Sequence, residues 1–480
     1  MPLAAKIAWN TAIQIAGKAV STLLGLAAIA MITRSLGQTA YGEYTTIIAF
    51  LSSFAVIADL GLTLVTVRLI SPAGADEKKI LSALFGLRLA SAVLFLGLAP
   101  LGLWFFPYGA DIKIGSLIVW PSFLFIALSQ ILIGLFQKYL RMAQAALAEI
   151  IGRLVLIAAV FLAIRAGGGL FGILAATAAA SAAHFAGLYL MGRRLAAFGL
   201  SFDRNVWREA IRLSWPLALT IALNLIYLRA DILLLSLLKR PSQIGLIAEV
   251  GLYGAAYRLI DVVITVPFMI AGLVLPVLAA AWAAGHKERF LYALKQAHNG
   301  AVFLAVPLVV GTIMLSDDIV RLIAGPDFTA AAPILRILIL AAGFIYLGAL
   351  PAHAIIALDR QKKIIAAYGF TAATALAGYL IFIPLYGYYG AAWVTVYSEA
   401  AMAAANILIA KKYSGWRPDW LASFKSLLAA GALALVLAAF ARSGLILKIA
   451  AGTLAYAAVF YLIAGQTRKD WLALWFKKEK

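Results

Sequence analysis

Ten charged side chains of this 480-residue chain are read as lying at membrane depth, and they are the groups with chemistry to offer. Four are cations, Lys18, Arg153, Arg229 and Arg258, and six are acids, Asp59, Glu149, Asp231, Glu249, Asp261 and Glu399. Inside a bilayer each costs roughly 2.5–3.5 kcal/mol on insertion scales, so each must meet a partner or line a wet path. Cations at that depth can hold an anion. Carboxylates there can take up a proton or a sodium ion, with an affinity that changes between a wet and a dry setting.

Their spacing sorts them. Lys18 sits in the series Asn10, Gln14, Lys18, Ser21, Gly25, which draws one polar face on a helix. Two readings stay open for it: packing with Asp59 as partner, or lining a cavity with a cation. Glu149 and Arg153 are i,i+4, and Arg258 and Asp261 are i,i+3, so each pair shares a helix face and is read as a structural pair. Thr220, Asn224, Tyr227 and Asp231 form a second stripe. Tyr253, Tyr257, Asp261 and Thr265 form a third, and Thr395, Glu399 and Asn406 a fourth. Asp231 and Glu399 lack an i,i+4 cation, which marks them, with Asp59, as candidates for ion coupling. Arg229 lies two positions from Asp231 and points to nearly the opposite side. His184 reads as a packing residue, and His286, His298 and His353 show no metal-ligand spacing, so no metal site is assigned.

These groups must be positioned by helices. A crossing needs about 20 apolar residues, and fourteen stretches qualify, the first at 7–32 and the last at 445–464. The chain is therefore expected to be all-α and polytopic, with about 14 transmembrane helices. With both ends placed in the cytoplasm, the inner gaps hold 27 Lys and Arg and the outer gaps nine. Over short loops that bias sets the orientation, both termini inside, in an inner or plasma membrane. The count places Arg88 with the inner loop cations. The net charge of +20 is accounted for by loops facing anionic membrane lipids, not by nucleic acid. No cysteine is present, which excludes disulfides and thiolate sites. No glycine-rich phosphate loop ending in Lys-Ser or Lys-Thr is found, so no ATP hydrolysis is expected and no cofactor beyond a coupling proton or sodium.

The chain repeats itself. Gly169, Gly172, Thr177, Arg193 and Arg194 recur 218 positions later as Gly387, Gly390, Thr395, Lys411 and Lys412. Tyr41-Gly42 recurs 212 positions later as Tyr253-Gly254. Two pseudo-repeated six-helix lobes follow, 1–200 and 201–412, with 413–480 adding two extra C-terminal helices and a basic cytoplasmic tail. Parallel repeats of this kind build a central site between halves in transporters. The run 192–212, with Phe198, Leu200, Phe202 and Trp207 among arginines, reads as a cytoplasmic linker or an interfacial helix.

Several motifs carry a family resemblance. Arg34-Ser-Leu-Gly37, Tyr41-Gly-Glu-Tyr44, Asp59-Leu-Gly-Leu62 and Arg68 resemble the opening of the polysaccharide transporter family. These are Wzx-type flippases of the multidrug/oligosaccharidyl-lipid/polysaccharide exporter superfamily. Gly251-Leu-Tyr-Gly-Ala-Ala-Tyr-Arg258, Pro267, Pro276 and Ala357-Leu-Asp-Arg-Gln-Lys362 agree with it. The resemblance implies a central cavity, alternating access and a polyprenyl-phosphate- or pyrophosphate-linked glycan as cargo, with glycan-assembly enzymes as partners. It implies that Lys18, Arg153, Arg229 and Arg258 handle the anion, with Tyr257 and Gln14 on the substrate side. Relatives that flip peptidoglycan precursor place a cation site among helices 7, 11 and 12. Here Asp231 and Glu399 match two of those, while helix 11 offers only Thr371 and Thr374.

Two other functions compete. A proton- or sodium-coupled small-molecule exporter of the same superfamily would use Asp59, Asp231 and Glu399 for organic cations. A membrane-embedded glycosyltransferase or ligase would need acidic metal ligands, and Asp317-Asp318 on the 317–331 loop is the acidic pair considered for them. The enzyme class is the least favoured, and the chain is read as a non-enzyme.

Overall fold

The computed structural model describes residues 3–59, 62–72 and 76–463, with side chains at all of these positions except 3–12, 63, 64 and 215–229. Among the described residues the elements are fourteen α-helices and two short 3-10 turns. In chain order they are α1 (Leu3–Asp59), α2 (Leu62–Ile70), α3 (Glu77–Leu103), α4 (Ala110–Lys138), α5 (Met142–Arg165), α6 (Gly169–Gly192) and α7 (Arg204–Leu237). Then come α8 (Leu246–Val263), α9 (Thr265–Ala283), α10 (Lys287–Ile323), α11 (Ala332–Ala357), α12 (Ile365–Ser414), α13 (Trp420–Ala439) and α14 (Leu445–Ile463).

Eleven stretches of the described chain are long and apolar enough to cross a membrane. Two of them, at 47 and 54 residues, are far longer than the roughly 30 Å hydrocarbon thickness requires at 1.5 Å per residue. Each is two helices joined at a glycine, Gly37 at φ 68° in α1 and Gly387 at φ 57° in α12. Only a residue without a Cβ takes that left-handed conformation readily. Counting both arms of each, and adding α7, accounts for the fourteen crossings. The chain is a multi-pass helical membrane protein.

One expected single helix is broken. The second crossing, expected over 41–70, is helical at all of its described residues, up to Asp59 and again from Leu62. The eighth, expected over 246–280, divides at Ile264 into α8 and α9. Pro267 thus falls in the first turn of α9, where a missing N–H leaves no intrahelical bond unmade.

The chain forms two compact units, 1–254 with 323–327 and 255–322 with 328–480. In the first, Leu81, Phe85, Leu132, Leu135, Phe136, Leu188 and Phe198 build an apolar core from α3, α4, α6 and the segment after α6. That segment is not an interfacial helix. Residues 196–203 run without helix and are pinned along α3. Gly199 N–H donates to Ser82 Oγ at 3.0 Å, Ser201 N–H to the Ser82 carbonyl at 3.2 Å, and Trp207 Nε1 to the Ala83 carbonyl at 2.8 Å. Asp203 then caps α7, accepting from Asn205 and Val206 N–H, and pairs with Lys79 at 3.1 Å. The Val206 N–H, followed by the Lys79 ammonium, holds the Asp203 carboxyl below its ordinary value.

In the second unit α13 and α14 pack on α10 through Leu315, Leu433, Leu437, Tyr456 and Phe460. Tyr456 OH donates to the Phe303 carbonyl at 2.9 Å, and Lys448 bonds Asp318 at 2.7 Å. Asp419 caps α13 and pairs with Lys295 at 3.0 Å. Burial alone would raise the Asp419 carboxyl, but the Lys295 ammonium and the Ala422 N–H outweigh it and hold it low.

The pinned segment yields a test. A Cβ on Gly86 would fall on the Ser201 carbonyl, whereas one on Gly97 in the same helix would meet nothing within 4 Å. Gly86→Leu is expected to lower the detergent melting temperature, at a cost of about 1–3 kcal/mol for overpacking. Gly97→Leu should leave it unchanged or raise it. Equal melting of the two variants would show that the segment does not lie on α3.

Candidate functional site

Three helices of the first unit bring charges together at mid-helix. The polar stripe of α1 turns toward α5, as a 3.6-residue period requires for positions 14, 18, 21 and 25. Lys18 Nζ donates to Glu149 Oε1 at 3.0 Å, and Ser21 Oγ donates to the same oxygen at 2.7 Å. Arg153, one turn beyond Glu149, reaches Ser21 Oγ through Nε at 3.4 Å. Its guanidinium passes 3.8–4.0 Å from where a Gly25 Cβ would stand, an ordinary contact distance, so it lies alongside the last residue of the stripe. On the other side α6 closes against α5 at Gly152, where a Cβ would lie 2.8 Å from His184 Cβ. His184 lies within electrostatic reach of Lys18, Glu149 and Arg153.

Lys18 therefore pairs with Glu149 while Arg153 stands nearby on Ser21, so the group of two cations and one carboxylate carries a formal excess of one positive charge. The group is accessible, because the Lys18 side chain keeps 41% of its exposure and Glu149 28%. Gln14 is exposed one turn away. Such an arrangement can accept an anion in exchange for the carboxylate, with hydrogen bonds to charged donors that are stronger than neutral ones.

Sequence spacing placed Glu149 and Arg153 on one face but paired them with each other. The ion pair is made instead to Lys18, on another helix. Asp59, weighed as the partner of Lys18, is held at 2.7 Å by Arg88. Arg88 is no loop cation. It is 3% exposed, and it donates from Nε to the Ala127 carbonyl at 2.9 Å and from Nη1 to the Ala58 carbonyl at 3.1 Å. The signal in the sequence was its place well inside the apolar run that begins after Glu77.

The remaining candidates have contacts of their own. Asp231 is fully buried; it accepts from Tyr253 OH at 2.6 Å and from the Ile232 N–H at 2.7 Å. Arg258 and Asp261 meet at 3.6 Å, the i,i+3 contact that the spacing implied. They belong to the second unit, as does Tyr257, which is buried. Arg229 and its neighbours Thr220, Asn224 and Tyr227 have side chains outside the described residues. Glu249 takes hydrogen bonds from Arg240. Glu399, on the second arm of α12, is 7% exposed, and its Oε1 has no hydrogen-bond partner among the described residues. The acidic pair weighed as metal ligands is divided between cations, Asp317 bonding Arg336 and Asp318 bonding Lys448. Among the described residues no group of three or more His, Cys, Asp or Glu side chains is placed to hold a metal ion.

Comparison with known proteins gives a family and a fold. The model of a family described as polysaccharide biosynthesis protein matches residues 7–282. No curated protein matches the chain. Among solved structures it is similar to the lipid II flippase MurJ in an inward closed conformation, with a TM-score of 0.77 and 17% identity over 94% of this chain and 99% of that one. It is also similar to an inward-facing multidrug resistance transporter of the MATE family, with a TM-score of 0.68 and 15% identity over 84% and 98% of the two chains. A further likeness is to a MOP-superfamily transporter from Pyrococcus furiosus, with a TM-score of 0.58 and 15% identity over 85% and 95%. At these identities what is shared is the polytopic helical fold.

The Lys18–Glu149 contact is testable by a double-mutant cycle. Lys18→Ala and Glu149→Gln should each lower thermal stability, and the double variant should lose less than the sum. The coupling is expected near the low end of the roughly 0.5–3 kcal/mol seen for contacting residues, because Lys18 is partly exposed and screened. Additive losses would show that the two side chains do not meet.

Proposed function

The chain belongs to the polysaccharide biosynthesis protein family, and from that premise we propose that it is a flippase for a lipid-linked glycan. The cargo is an oligosaccharide or polysaccharide repeat on a polyprenyl phosphate or pyrophosphate, moved from the cytoplasmic to the outer leaflet by alternating access. The observation that carries this reading is the excess cation of Lys18 and Arg153 beside Glu149. A phosphate headgroup and a sugar chain cannot enter hydrocarbon, whereas the polyprenyl tail is already soluble in it. A flippase therefore needs an intramembrane seat for an anion and no means of removing the whole molecule from the bilayer.

In the absence of cargo, Glu149 occupies the cations and keeps the region from carrying two unpaired positive charges. A phosphate that replaces it gains attraction of order 4 kcal/mol per charge pair at 4 Å in a protein-like dielectric, offset by its own desolvation. Partial compensation suits a carrier, since a seat that binds too tightly would not release. The structural likeness to the lipid II flippase MurJ supports cargo of this class.

Asp231 and Glu399 are the proposed coupling residues. Glu399 carries the stronger case, because a carboxylate oxygen buried without a hydrogen-bond partner among the described residues is costly and a proton or sodium ion relieves the cost. Asp59 is the weakest of the three, its charge already met by Arg88. The same Glu399 supports the second reading, a cation-coupled exporter of small molecules. The charge bias of the loops supports an orientation with both termini in the cytoplasm, and the sequence repeat supports lobes divided at 200/201.

Proteoliposomes loaded with a fluorescent polyprenyl-pyrophosphate oligosaccharide test the proposal. Lys18→Ala, Arg153→Ala and Arg258→Ala should each slow flipping tenfold or more at unchanged protein level, and Lys18→Arg should retain most of it. Full rates in the Lys18 and Arg258 variants would remove the anion-handling role. Export of cationic dyes without glycan flipping would favour the exporter.

A further inference from the structure

At one end of the second unit, cations from three elements converge on one turn. Lys412 lies in the last turn of α12, and Gly415 ends that helix in the left-handed conformation, its N–H on the Lys411 carbonyl at 2.9 Å. Arg360, from the connection between α11 and α12, brings Cζ to 5.3 Å from the centre of the Tyr413 ring, and Lys412 Nζ stands 5.9 Å from the same ring. Lys287, at the start of α10, brings Nζ to 3.7 Å from where a Gly415 Cβ would stand. All three cations are exposed. Among the described residues none of them makes an ion pair. Asp359 accepts from Gln361 Nε2 at 3.0 Å, Asp419 pairs with Lys295 at 3.0 Å, and Glu288 pairs with no cation among the described residues.

Three like charges on one turn repel. The C-terminus of α12 offers a partial charge of about −0.5, and a tyrosine face attracts a cation without neutralising it, so the turn keeps a surplus. Elsewhere in this unit Lys295, Arg336 and Lys448 each have an acid beside them. The surroundings select the source of the missing anion. Past the turn the chain enters α13, where Trp420, Leu421, Phe424 and Leu428 stand exposed, Trp420 at 73%, while Ala422, Ala429 and Leu433 are buried. A helix that is apolar on its exposed face from the first turn onward meets hydrocarbon there. The cations just ahead of it therefore lie at headgroup level, where a phosphate is tethered to chains able to cover that face. An acidic peptide or a free phosphate would leave it bare.

We propose that Arg360, Lys412 and Lys287 bind the phosphate of an anionic phospholipid whose acyl chains lie along the exposed face of α13. The proposal goes beyond the flippase reading and does not depend on it. The lipid neutralises a turn at which α10, the α11–α12 connection and the end of α12 meet, and so holds the three together. General attraction of basic loops to a charged leaflet acts on every loop cation alike, whereas a site acts through these three.

The test titrates phosphatidylglycerol, and separately phosphatidylcholine, onto delipidated full-length protein, with bound lipid counted by native mass spectrometry. Phosphatidylglycerol should bind and raise the melting temperature, and phosphatidylcholine should do neither. Arg360→Gln, Lys412→Gln and Lys287→Gln should each weaken phosphatidylglycerol binding about fivefold, as expected for one cation at a lipid surface. The double variant Lys362→Gln/Lys363→Gln, which removes exposed cations of the same connection that no described contact places on the turn, should leave binding unchanged. Without lipid the three single variants should melt no lower than the parent, because each relieves repulsion; a lower melting temperature there would make the cations structural and overturn the proposal. Equal weakening by the Lys362 and Lys363 pair would reduce the effect to diffuse loop charge, and equal binding of phosphatidylcholine would remove the role of net charge. Displacement of the lipid by inorganic phosphate at the same concentration would assign the turn to soluble phosphate. Each of these three results would also overturn it.

Discussion

A charge inside hydrocarbon has to be answered by another charge or by water, and the described helices are arranged around that demand. Arg88 is met by Asp59 and by two carbonyls, Arg240 by Glu249, and Arg258 by Asp261. Each of these sets balances one cation with one acid. The cluster of Lys18, Arg153 and Glu149 does not balance, and it is also partly open. A helix bundle built only for stability would gain from removing such a group, since apolar replacements of buried ion pairs are often neutral or stabilising. The proposed anion seat would account for the surplus cation.

Close backbone approach is the second constraint. Gly169 and Gly387, partners in the 218-residue offset, both adopt left-handed φ, +50° and +57°. Thr177 and Thr395, eight residues on in each case, both turn their hydroxyls back to the carbonyl four positions earlier. The repeated letters therefore mark repeated local structure. At Gly152 the missing side chain lets α6 close on α5 at His184, and at Gly378 it lets Val394 of the other arm of α12 approach. In both places a small residue makes space for a neighbouring helix.

The number of crossings was legible because the bilayer imposes a length of about 20 apolar residues on every one of them. Local pairs were legible for a similar reason, and Arg258–Asp261 needed only the helical period. Partners far apart in the chain were not. Lys18 and Glu149 are 131 positions apart, and nothing in either local pattern distinguishes Glu149 from Asp59 as the acid that Lys18 meets. Arg88 was counted with Lys78 and Lys79 as a loop charge, although it lies well inside the helix that begins at Glu77. The segment 196–203 has the composition of an interfacial helix, but bonds to Ser82 and Ala83 hold it extended along α3, and composition carries no trace of those bonds.

If Lys18 and Arg153 form an anion seat that Glu149 occupies at rest, the two charges around them must act in opposite directions. Isothermal titration of a short-chain polyprenyl pyrophosphate against the purified protein measures this directly. Removing the resident carboxylate in Glu149→Gln should tighten binding about tenfold, removing a cation in Arg153→Gln should weaken it by as much or more, and both effects should fade as salt is raised. Weaker binding in Glu149→Gln, or the same affinity in all three proteins, would contradict the account.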